Sequence, residues 1–160
     1  MNQVAGRNWL RWAGVVGIVI LCGYLCIRMF QLRHAQMAHA LWWTGDIIVR
    51  YLEAHDGTWP RRWEDLATVV GEEDLKGSGV MECAGGRRAM KYRQRLPIQR
   101  LREMVWVDWS ADVHELVTAE RSAERPPFLV VRPLRGDHFY FSGAEPNEMI
   151  RAHLVARSGL

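Results

Sequence analysis

Sixteen consecutive residues without a charge, Trp12 to Ile27 (WAGVVGIVILCGYLCI), constrain this chain more than any other feature. Arg11 and Arg28 fence the run, and no other segment is as apolar. A spanning helix needs about 20 mostly apolar residues. Counting Trp9, Leu10, Met29 and Phe30 brings the run to that length, provided Arg11 and Arg28 direct their heads to the lipid headgroups. Trp9 and Trp12 stand where interfacial aromatics usually stand. A cleaved signal peptide is one alternative, with Ala38-His39-Ala40 as its cleavage triplet. That triplet lies well past the apolar run, behind Arg28, Arg33 and His34, and this favours retention. A buried core helix is the other alternative, and 160 residues leave little globular mass to host one.

Residues 1–30 therefore read as a membrane anchor, in the bilayer through Trp12 to Ile27, and residues 31–160 as one modest domain. Arg7 and Arg11 before the span are nearly balanced by Arg28 and Arg33 after it. The preferred orientation places the N-terminus in the cytoplasm and the C-terminal domain outside it. Composition narrows the class further. Of 21 Lys and Arg, three (Arg7, Arg11, Arg28) belong to the anchor region, leaving 18 against 18 Asp and Glu. A formally neutral domain argues against nucleic acid as a partner. Two of the three cysteines, Cys22 and Cys26, lie in the apolar run, so Cys83 has no disulfide partner within the domain.

No proline occurs before Pro60, and Met37, Leu41, Ile48 and Leu52 recur at helical spacing. One helix is expected from about Asn8 to about His55, on the order of 70 Å long at 1.5 Å per residue. Gly45 is its weak point, and Asp56-Gly57 its end, with the glycine as cap. A short helix is expected from Trp63 to about Val70. Strands are expected at Val80 to Cys83, Ala89 to Leu96, Met104 to Trp109, Phe128 to Arg132 and His138 to Phe141, the last two as a hairpin. Val113 to Thr118 reads equally as strand or helical turn. A last helix is expected from Asn147 to Arg157, with Met149, Ile150, Leu154 and Val155 on its apolar face. The fold class is α+β: a long N-terminal helix, a small, mainly antiparallel sheet and a C-terminal helix.

The passage Tyr51-Leu52-Glu53-Ala54-His55-Asp56-Gly57-Thr58-Trp59-Pro60, followed by Leu66, resembles the Tyr-x-x-x-x-Gly-x-Tyr/Trp-Pro…Leu passage of type IV pilin-like proteins, especially type II secretion pseudopilins. At residue level the likeness covers Leu41 to Leu66; the remainder matches in layout. It implies a single-pass protein with a small extracytoplasmic α+β head that serves assembly or interaction. The family's processing site is Gly, an apolar residue, then Thr-Leu-x-Glu. Here Gly6 is followed by Arg7-Asn8-Trp9-Leu10-Arg11, so Arg11 stands where the family has the glutamate used in filament assembly.

Few residues invite chemistry. His34 and His39 are five apart and do not share a helix face, and no His-Glu-x-x-His occurs. No nucleophile elbow, phosphate loop or dinucleotide glycine motif is present. A membrane-tethered enzyme could assemble His55, Asp108, Asp112 and His114, and an exported enzyme or ligand-binding protein released at Ala40 is a further alternative. The favoured reading is a pilin-like interaction or structural protein without a catalytic site, cofactor, metal or small-molecule ligand. The densest charge feature is Arg87, Arg88, Lys91, Arg93, Arg95, Arg100 and Arg102, uninterrupted by an acid. The run reads as a basic face for anionic headgroups or a partner, and its first five residues are the candidate surface for a protein partner or a second copy. Alternatively, neighbouring strands cancel this charge by cross-strand pairing.

Overall fold

In the computed structural model, residues 3–71, 80–81, 90–91, 96–118, 129–136 and 145–159 are described; for residues 3–11, 80–81 and 90–91 this covers the backbone only. The fold is α+β. Helix α1 covers Gln3–Ala54, α2 Trp63–Ala67, α3 Ile98–Met104, α4 Val113–Thr118 and α5 Pro146–Ser158. Strands β1 (Val80–Met81) and β2 (Met90–Lys91) form one antiparallel pair, and β3 (Val105–Val107) and β4 (Val131–Pro133) another. The chain divides into two compact units at Gln36/Met37, six residues later than the expected end of the anchor.

In the first unit, every side chain described, from Trp12 to Gln36, is exposed. Ile18, Val19, Ile20, Ile27, Phe30 and Leu32 each expose more than half of their surface. This helix is long and apolar enough to cross a membrane. The exposed apolar surface continues past Arg28 through Met29, Phe30 and Leu32.

In the second unit, the same helix becomes the centre of a core. Ala40, Leu41, Trp42, Trp43, Thr44 and Gly45 are buried in succession, and Ile47, Ile48, Tyr51 and Leu52 continue the burial. Six consecutive buried positions cover more than one helical turn, so this stretch is enclosed all round. The expected one-sided stripe at Leu41, Ile48 and Leu52 is only part of that surface. Asp46 and Arg50 lie at the rim, paired i,i+4 at 3.1 Å. Around the helix are packed Leu66, Leu101, Val105, Val107, Leu116, Val131, Ile150 and Leu154.

Gly45 does not interrupt the helix. A β-carbon there would meet Met149 Cε at 3.0 Å and Pro146 Cβ at 3.2 Å, so the residue is small because α5 starts against it. The helix ends one residue earlier than a glycine cap alone requires. Asp56 (φ 52°) is already left-handed, Gly57 (φ 81°) follows, and Gly57 N–H donates to Leu52 O at 2.8 Å. Arg157 of α5 donates to Leu52 O as well, at 3.2 Å, satisfying a terminal carbonyl from a distant part of the sequence.

The larger differences from the sequence reading lie between residues 96 and 136. Pro97 precedes α3, a helix between two expected strands where the sequence pattern gives no element, although Ile98, Leu101 and Met104 recur at three-residue spacing. Val113 to Thr118 is helical. Strand β4 is shifted to Val131–Pro133 and pairs with β3, with Val105 opposite Pro133, Trp106 opposite Arg132 and Val107 opposite Val131. The expected hairpin partner, His138 to Phe141, lies outside the described residues. Pro133 is tolerated because the ladder bonds fall at its neighbours: Leu134 N–H donates to Met104 O and Asp108 N–H to Val130 O, each at 2.8 Å. Helix α5 matches its expected range within a residue at each end; Glu145 and the left-handed Gly159 (φ 70°) cap it.

Filling the notch at Gly45 is expected to force α1 and α5 apart. Gly45→Val should lower the thermal stability of the detergent-solubilised chain by about 1–3 kcal/mol. Adding Met149→Ala should recover part of the loss, because one of the two close contacts is then gone.

Candidate functional site

The residues that the sequence nominates for chemistry are occupied with local structure. His55 ends α1, stacked on Tyr51 with ring centroids 3.9 Å apart, and its Nδ1 lies 3.0 Å from Tyr51 O, a contact that needs the proton on Nδ1. Asp108 Oδ1 accepts from Ser110 N–H at 3.0 Å and from its hydroxyl at 2.7 Å, closing a turn after β3. Asp112 Oδ1 accepts from His114 N–H at 2.7 Å and caps α4. The side chains of His55, Asp108 and Asp112 therefore serve one turn and two helix ends, and His114 contributes its backbone N–H. Among the described residues, no three His, Cys, Asp or Glu side chains are grouped to hold a metal.

Of the candidate partner surface, Arg87, Arg88, Arg93 and Arg95 lie outside the described residues. Lys91 is placed by its backbone alone, in β2 opposite Val80. The last two members of the basic run lie on α3, not on a strand. Arg100 pairs with Glu103 on the same helix, and Arg102 with Glu64 of α2 at 3.2 Å. Both pairs are exposed and contribute little to stability.

The Thr58-Trp59-Pro60 passage is a fastening. Trp59 is buried, and its indole N–H donates to Asp108 O at 2.8 Å, tying the segment after α1 to the end of β3. Trp63 meets Trp109 edge to face at 5.3 Å. Trp106 and Trp109 fall in different surroundings: Trp106 is on β3 and Trp109 is in the turn that follows it. Trp109 packs against the core, whereas Trp106 lies under the Arg132 guanidinium at 4.2 Å.

One polar cluster carries no sequence motif. Asn147 is fully buried; its Oδ1 accepts from Val131 N–H at 2.8 Å and its Nδ2 donates to Val131 O at 3.0 Å. A single amide thereby presents to β4 the donor and acceptor of a third strand. Glu145 Oε1 accepts from Asn147 Nδ2 at 2.7 Å and fixes which way the amide points. Glu145 Oε2 accepts from the N–H groups of Asn147 and Glu148 at 2.7 and 3.1 Å. The only sequence signal was Glu-Pro-Asn at a helix start, which is capping chemistry; the partner strand is sixteen residues away.

Charge and burial meet at His39. Desolvation holds its imidazole below the ordinary value of 6.5. Comparison with known protein families, with characterised proteins and with solved structures finds no match. Among the described residues, the exposed large apolar side chains lie on the helix of the first unit, Trp12 to Leu32, with Leu134 the exception.

Asn147→Leu should leave both Val131 backbone groups unpaired and cost about 2–4 kcal/mol of stability, read by thermal melting. Amide exchange at Val131 should accelerate in the same variant. Because the folded state disfavours protonated His39, it binds fewer protons there than the unfolded chain does. Stability from this group is complete above its unfolded value of 6.5 and is lost as pH falls through the lower folded value. His39→Gln should flatten that limb of the melting-temperature profile.

Proposed function

We propose that the chain is a single-pass, pilin-like membrane protein, its residues before Trp12 on the cytoplasmic side and its Met37–Leu160 unit outside. That unit is an interaction or structural module rather than a catalyst, and Arg11 in place of the assembly glutamate makes it an anchored protein that does not build filaments. The observation that carries this reading is the unbroken exposure of Trp12 to Leu32 on a helix whose next residues, from Ala40, are enclosed. Water does not accommodate so long a bare apolar helix, whereas a hydrocarbon layer of about 30 Å does. The Gly57-to-Pro60 passage adds support, because its tryptophan fastens the end of the long helix to the small sheet. The use of Asp108, Asp112 and His55 in turns and caps favours a module over an enzyme.

Carbonate extraction should leave the full chain in the membrane pellet, and Ile20→Arg should release or destabilise it, since a charge at mid-span costs about 2.5–3.5 kcal/mol even on the mildest scale. Protease added to inside-out vesicles should spare the Met37–Leu160 unit, and protease added to right-side-out cells should digest it. The reverse pattern overturns the orientation. A mature chain that begins after Ala40 overturns anchoring altogether.

A further inference from the structure

From Trp12 to Leu32, only Tyr24, Arg28 and Gln31 carry oxygen or nitrogen in their side chains, apart from the indole of Trp12. Spaced i, i+4 and i+7, they lie on one side of α1. All three are exposed and find no hydrogen-bond or ion-pair partner among the described residues. Gly17, seven residues before Tyr24, lies on the same side, and a β-carbon there would meet nothing. The depth of Arg28 follows from length. Trp12 to Ile27 spans only about 24 Å as a helix, short of a hydrocarbon core of about 30 Å. Met29, Phe30 and Leu32 are as exposed as the residues before Arg28, and including them gives about 31 Å. Arg28 then lies about 6 Å inside the apolar layer.

We propose that this side of the span docks a transmembrane helix of a partner protein that carries a carboxylate at the depth of Arg28. The proposal rests on the membrane reading above. An unpaired guanidinium in hydrocarbon takes an anion, and polar side chains in spans face other helices. Headgroup phosphates could reach Arg28 alone, but they give no reason for Tyr24 and Gln31 to share its side, because snorkelling serves each residue separately on any face. A second copy in parallel is disfavoured, since it would bring Arg28 against Arg28 in a low dielectric. A partner carboxylate satisfies Arg28 while the Tyr24 hydroxyl and Gln31 amide supply the flanking hydrogen bonds. Gly17 allows close approach on the same side.

The test uses the full chain, donor-labelled on its Met37–Leu160 unit and reconstituted in phosphatidylcholine vesicles. The probes are acceptor-labelled Leu/Ala transmembrane peptides carrying one Glu, one Gln or neither at the depth of Arg28. Energy transfer should report association about tenfold tighter for the Glu peptide than for the Gln peptide. Arg28→Leu should abolish the difference and Gly17→Ile should weaken binding of the Glu peptide, while Ile18→Ala, on another side, should change neither. Equal transfer for all three peptides overturns the proposal. Transfer between donor- and acceptor-labelled copies of the chain that outcompetes the Glu peptide also overturns it, in favour of a homo-oligomer. If phosphatidylglycerol removes the preference for Glu, Arg28 is a lipid-phosphate ligand and the proposal fails. A chain that does not co-float with vesicles overturns the membrane reading itself; co-flotation without Glu-dependent transfer overturns only the partner.

Discussion

The Met37–Leu160 unit depends on enclosing one stretch of helix. Ala40 to Gly45 is buried at every position, and Trp43, Ile47, Ile48 and Leu52 are almost without solvent contact. A helix with apolar side chains all round is stable only when other elements cover each side of it. Short elements do this here: the described helices of the unit other than α1 have 5 to 13 residues and its strands two or three. None of these has a core of its own; α2, α3, α4, α5, β3 and β4 each add buried side chains to the one cluster that α1 shares.

That dependence explains the fastenings. A two-stranded pair is marginal in water, and the outer edge of β4 would leave Val131 N–H and O unpaired in the interior. Asn147 supplies both partners, Glu145 orients Asn147, and Pro133 sits at a register position where its missing N–H costs no ladder bond. Trp59 joins the chain leaving α1 to the end of β3, and Arg157 returns from α5 to the last carbonyls of α1. Carboxylates that looked available for catalysis in the sequence are engaged in the same work at turns and caps. Their hydrogen-bonding capacity is used in orienting backbone.

Helix α1 also carries apolar side chains in two different settings. Its first unit exposes apolar side chains through Leu32, and its second buries them from Ala40. Between Leu32 and Ala40 come Arg33, His34, Gln36 and His39, a polar interval that separates the two apolar stretches. Within the exposed stretch, Tyr24, Arg28 and Gln31 are the exceptions, and their common side gives the candidate span one polar side.

Sequence by itself determined the long helix, its end at Asp56-Gly57, the last helix, and the presence of a candidate span. These rest on local rules: absence of proline, helical recurrence, left-handed residues at an end, and length against bilayer thickness. The candidate site was legible only as residue types, and Arg87, Arg88, Arg93 and Arg95 lie outside the described residues. Tertiary structure decided what local rules leave open. Helix α3 was not legible because seven residues between two expected strands carry only three apolar positions, Ile98, Leu101 and Met104, too few to define an element without the core they pack into. Strand partners were not legible because pairing β3 with β4 joins residues about 26 positions apart, a choice made by the shared core rather than by a turn. Gly45 looked like a weakness and is a contact, and Asn147 looked like a helix-start residue and completes a strand edge. In each case the deciding neighbour is remote in sequence, and only enclosure around α1 brings it within reach.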